Sequence, residues 1–133
     1  MNIKQVEGIG PVYAEKLSAV GVNTTNALLK AGQTAKGRTE LAQKTGVSPK
    51  LILEWVNHAD LFRIKGVGSE YADLLEAAGV DTVPELAQRN AANLYAKMAE
   101  VNAEKKLVRR IPPKVTVENW VALAKDLPRA IEY

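Results

Sequence analysis

Residues 6–22 read VEGIGPVYAEKLSAVGV, and residues 64–80 read IKGVGSEYADLLEAAGV. Each stretch brackets one aliphatic residue between two glycines and then runs into apolar positions at helical spacing. These are Ala14, Leu17 and Val20 in the first, and Ala72, Leu75 and Ala78 in the second. Gly21 and Gly79 follow, and glycine just past such a run is the usual left-handed stop. The copies lie 58 positions apart, and residues 6–32 laid on residues 64–90 share ten identities in 27 positions. Chance supplies about two, because common residue types each make up well under a tenth of average sequence. The chain is therefore read as two repeats, residues 1–63 and 64–133.

Outward from the glycines, the reading is helical throughout. In the first repeat Leu41, Ala42 and Thr45 predict a short helix stopped by Gly46. Ser48 then Pro49 reads as an N-cap with proline at the first helical position. Ile52, Trp55, Val56, Ala59 and Phe62 share one face of the helix that follows, which connects the halves. In the second repeat Thr82 and Glu85 form a T-x-x-E capping box with Pro84 in the first turn. Residues 93–107 read as helix, and so does TVENWVALAKDL from residue 116, with Thr116 as cap. Trp120-Val121 answers Trp55-Val56 at an offset of 65 rather than 58, which places about seven extra residues on LVRRIPPKV, where Pro112-Pro113 cannot continue a helix. No segment alternates convincingly at period two. The expected class is all-α, with eight or nine helices.

Composition narrows the chemistry. With 133 residues, 47% hydrophobic and 25% charged, the chain is ordinary for a soluble globular protein, and each repeat is small for an independent domain. Only seven residues are aromatic, so aliphatic side chains and alanine must build the core. The absence of cysteine excludes disulfides, thiolate nucleophiles and Cys-ligated metal. The opening residues MNIKQVEGIG lack the apolar stretch of a signal peptide, and no run approaches a membrane span, so a cytoplasmic protein without a membrane partner is expected. Net charge is +3, and five of the ten basic residues after residue 63 crowd into residues 104–114: Lys105, Lys106, Arg109, Arg110 and Lys114. A cluster of that kind is either a solvated loop or a contact surface for a polyanion.

The pattern Ile3-x-x-Val6-x-Gly8-Ile9-Gly10-x-x-x-Ala14-x-x-Leu17 resembles the helix-hairpin-helix motif, and Leu61-x-x-Ile64-x-Gly66-Val67-Gly68-x-x-x-Ala72-x-x-Leu75 matches it position by position. The tandem arrangement resembles paired helix-hairpin-helix domains of SAM-like architecture. The resemblance implies hairpins that grip phosphates of a nucleic-acid backbone, duplex DNA foremost, through shape and charge rather than base sequence. It points to Gly8, Ile9, Gly10, Gly66, Val67 and Gly68, with Lys65 beside the second turn. The glycines are expected to admit a turn closed to residues with a Cβ, while Ile9 and Val67 plug inward. Each following helix then opens with unpaired N–H groups. DNA-binding members often carry Lys or Arg just after the second glycine. Here Pro11-Val12 and Ser69-Glu70 stand there, which suits the alternative of a protein-interaction adaptor.

Other features read as structural. Trp55 and Trp120 are core wedges at matched positions, and Tyr13 and Tyr71 pack beside each hairpin with the hydroxyl reaching out. Asp73 and Glu76 share a solvated helix face, and His58 is the single histidine. Helix-hairpin-helix glycosylases use a downstream aspartate, and Asp81 lies thirteen residues after Gly68, but Asn23 occupies its place in the first copy and both read as cap-flanking residues. No H-E-x-x-H, G-x-S-x-G or P-loop pattern occurs. The expectation is a binding module, not an enzyme, with no cofactor, no metal and no small-molecule substrate.

Overall fold

A computed structural model describes residues 2–133 and shows eight α-helices, one 3-10 turn and, among the described residues, no strand beyond an isolated bridge between Asn2 and Thr24. The protein is all-α. No helix among the described residues is long and apolar enough to cross a membrane. The chain divides into two compact units: one runs to Asp60 and regains residues Ala130–Tyr133, and the other is Leu61–Arg129. The sequence repeats meet at residue 63, whereas the units divide at Asp60, and residues 130–133 go with the first unit.

In the first unit, a 3-10 turn (Ile3–Gln5) precedes α1 (Pro11–Ser18), α2 (Thr25–Ala31), α3 (Ala35–Thr45) and α4 (Pro49–Leu61), whose last residue already counts with the second unit. Short polar side chains start α2, α3 and α4. The Thr24 hydroxyl accepts from the Ala27 N–H at 3.1 Å, Thr34 from Gly37 at 3.0 Å and Ser48 from Lys50 at 3.2 Å. Gly46 ends α3 at φ 73°, as its position predicts. Ile52, Trp55, Val56 and Ala59 are buried along one face of α4, against a core that includes Val6, Ile9, Leu17 and Leu28.

The second unit holds α5 (Ser69–Ala77), α6 (Val83–Ala87), α7 (Ala91–Lys105) and α8 (Lys114–Asp126). α8 packs on both α6 and α7, and α7 on α5. Trp120 sits in one continuous, mostly aliphatic core with Leu61, Ile64, Leu74, Leu75, Leu86, Leu94 and Met98. Fully burying side chains of this size stabilises by about 1.5–3 kcal/mol each before ordering costs.

Two caps differ from the sequence reading. Thr82 does precede α6, but its hydroxyl donates to the Glu85 carboxylate at 3.2 Å and accepts no backbone N–H, so the reciprocal box does not form. α8 begins at Lys114 rather than after Thr116. The Pro113 carbonyl takes the N–H groups of Thr116 and Val117 at 3.0 and 3.2 Å, and proline's fixed φ of −58° sets the chain for helix directly behind it. α7 is shorter than the 93–107 reading at its C-terminal end, stopping at Lys105 because Lys106 turns into the left-handed region at φ 51°.

Candidate nucleic-acid interface

Each unit contains one glycine turn, and the two turns are built from the same bonds. Val6 N–H donates to Ile3 C=O and Ile9 N–H to Val6 C=O, both at 3.1 Å. Ile64 N–H to Leu61 C=O and Val67 N–H to Ile64 C=O repeat these at 3.1 Å. Ile9 and Val67 plug inward and are buried. A tryptophan lies under each first glycine: a Cβ built on Gly8 would sit 3.5 Å from Trp55 Nε1, and one on Gly66 would sit 3.2 Å from Trp120 Nε1. A tyrosine then leans on each tryptophan, Tyr13 on Trp55 at 5.0 Å between centroids and Tyr71 on Trp120 at 5.4 Å.

The two glycines of a turn are not equivalent, which corrects the expectation that both serve the bend. Gly8 and Gly66 take φ of 91° and 97°, the left-handed region that disfavours any side chain. Gly10 and Gly68 are extended, at φ −83° and −95°, and a Cβ on either would meet nothing within 4 Å. Their role inside the protein is to start a helix: their carbonyls accept from Ala14 and Ala72 at 2.9 Å. Being glycine, they offer no side-chain cap to the first-turn N–H groups of α1 and α5.

What surrounds the second glycine differs between the units. α1 opens with Pro11, which has no N–H, and Val12, exposed over 66% of its surface. α5 opens with Ser69 and Glu70, and the basic segment lies against it. The segment is held in shape by Asn102 of α7. Its side-chain amide donates to Val108 C=O at 3.1 Å while its oxygen accepts from Val108 N–H at 3.0 Å, and its own carbonyl accepts from Lys106 N–H at 2.9 Å. The Tyr71 hydroxyl, on the first turn of α5, donates to Arg110 C=O at 3.3 Å. Together these enclose an open groove of about 530 Å³ lined by Glu70, Asn102, Lys106, Leu107, Val108 and Arg109.

The structure thus brings Lys106 and Arg109 to the start of α5, which sequence alone left as a separate surface. Arg110 is exposed beside them. Lys105 ends α7, Lys114 begins α8 and Lys65 precedes Gly66; all three are exposed, and none lines the groove. Asn102 was missed in the sequence, where it is one more polar residue on a helix. Its only signal was its place a turn before the Lys-Lys-Leu stop. In the first unit, by contrast, the groove between the 3-10 turn and α1, about 590 Å³, carries one cation, Lys4, and one carboxylate, Glu15, among Asn2, Ser18 and Asn23.

An all-α protein made of two compact helical units, one with a cationic groove beside a glycine turn, is what fold and geometry define. The chain belongs to the family described as a domain of unknown function (DUF4332), whose model matches residues 7–127. Comparison with the curated proteins and with the solved structures found no match.

Proposed function

We propose that this protein is a non-catalytic binding module whose glycine turns are helix-hairpin-helix motifs in a pseudo-symmetric pair, and that its second unit holds a nucleic-acid backbone independently of base sequence. The observation that carries the reading is Gly68. The fold does not require glycine there, since the backbone is extended and a Cβ would meet nothing within 4 Å, yet the residue stands at the uncapped start of α5, whose Glu70 shares a groove with Lys106 and Arg109. A bare backbone at a helix N-terminus with cations alongside suits close approach by a phosphate. The repetition of the turn bonds, the tryptophan under each first glycine and the matched tyrosines supports the paired-motif reading.

Replacing Gly68 by alanine tests this without disturbing the turn. Titration of a fluorescent duplex should show weaker binding by the Gly68→Ala protein at unchanged melting temperature. Equal affinity of parent and variant would remove the phosphate from Gly68. A second reading, a protein-interaction adaptor, is favoured by Val12, which exposes a large apolar side chain where a phosphate grip would use a cation. In that case the parent would bind no duplex at low salt.

A further inference from the structure

Arg38 of α3 is buried in the first unit with 7% of its surface exposed, and its guanidinium faces carbonyl groups rather than a carboxylate. Nη1 donates to Gly32 C=O at 2.8 Å, and Nη2 to Glu132 C=O at 3.0 Å, 94 residues away in sequence. The Glu132 N–H in turn donates to Gln33 C=O at 2.7 Å, so both backbone groups of Glu132 are paired. Ile131 is buried, with 2% exposed. The Tyr133 ring lies 5.6 Å from the Arg38 guanidinium carbon, and its hydroxyl donates to Asn57 Oδ1 at 3.0 Å. A Cβ on Gly32 would collide with Val56, so glycine lets this carbonyl-bearing turn pack on α4.

These contacts form a receptor for a short non-helical segment: a buried apolar anchor, then a residue held by its main chain, then a tyrosine that lies over Arg38 with 61% of its surface exposed. Recognition by main-chain pairing beside a side chain in a pocket is a general mode of peptide capture. We propose that residues 130–133 are an exchangeable segment, and that the receptor around Arg38 takes the same segment from a second copy of this chain. The bonds to Gln33, Arg38 and Asn57 come from Glu132 and Tyr133, next to the buried Ile131, and the segment is joined to α8 through the non-helical Leu127, Pro128 and Arg129. The bonds made in cis and in trans are the same, so the balance between them is set by effective concentration. Exchange of an identical element is a low-cost route to dimers. A buried guanidinium without its acceptor is costly, so an uncovered receptor is driven to take a neighbour's segment.

Two variants of the 133-residue chain test this. Arg38→Ala damages the receptor and keeps the segment; Ile131→Asp with Tyr133→Ala damages the segment and keeps the receptor. Light scattering at about 1 mM of each protein should find each alone at the monomer mass and their equimolar mixture clearly above it, since each supplies what the other lacks. A mixture that stays monomeric while both proteins keep their helical circular dichroism overturns the proposal. Should Arg38→Ala fail to fold, a fluorescent peptide of residues 127–133 is titrated into the segment variant. Saturable binding at about 1 mM or below is expected, weakened roughly tenfold by adding Asn57→Ala; no saturation overturns the proposal. If the doubly substituted segment variant loses its helices, Tyr133→Ala alone takes its place in both experiments.

Discussion

At the residue scale, the turns separate two uses of glycine. Gly8 and Gly66 occupy left-handed backbone over a tryptophan, while Gly10 and Gly68 do not. Alanine at Gly8 or Gly66 should cost about 1–2 kcal/mol through the left-handed conformation alone, with more at Gly66, where the Trp120 ring is already 3.2 Å from a Cβ. Alanine at Gly10 should leave the melting temperature within error of the parent, which thermal denaturation monitored by circular dichroism checks. The sequence pattern singled out all four glycines. It could not rank them, because the difference lies in φ and in what sits under the turn. Lys106 is the converse case, the one non-glycine residue at positive φ among the described residues. Lys106→Gly should raise stability by roughly 0.5–1 kcal/mol and weaken duplex binding, a trade-off that calorimetry and titration on the same sample would show.

At the scale of elements, the basic segment is a prebuilt loop. Asn102 fixes Val108 by two bonds, and Tyr71 reaches Arg110. Asn102→Ala should cost about 1–3 kcal/mol, two hydrogen bonds at roughly 0.5–1.5 kcal/mol each, and should weaken binding as Lys106 and Arg109 lose their fixed places. Glu70 lines the same groove as Lys106 and Arg109. Glu70→Lys should strengthen duplex binding at low salt, by exchanging a repulsive charge for an attractive one, and the gain should shrink as salt is raised. Helices and most stops were legible because caps and apolar spacing are local. The contacts of the loop were less so: Asn102 and Val108 are six apart with a left-handed residue between them, and no periodicity marks such a clamp.

On the scale of the whole chain, sequence made the all-α class plain, because aliphatic positions at helical spacing recur between glycine stops as far as Gly79 and between prolines after it. It did not show residues 130–133 joining the first unit. Arg38 looks like any basic residue on a polar helix, and its partner Glu132 lies 94 residues away. Nor did it place the cations of residues 106–109 at the start of α5, since that depends on α7 packing against α5.

The central claim, that the second unit holds a nucleic-acid backbone through charge, is tested most directly by binding of a fluorescent duplex at several salt concentrations. Log K should fall linearly with log salt, at about −0.9 per phosphate contact, equally for unrelated duplex sequences. Arg109→Ala combined with Arg110→Ala, both exposed, should flatten that slope by about one to two contacts without moving the melting temperature. Absence of duplex binding at low salt, or a slope unchanged in the double variant, would contradict it.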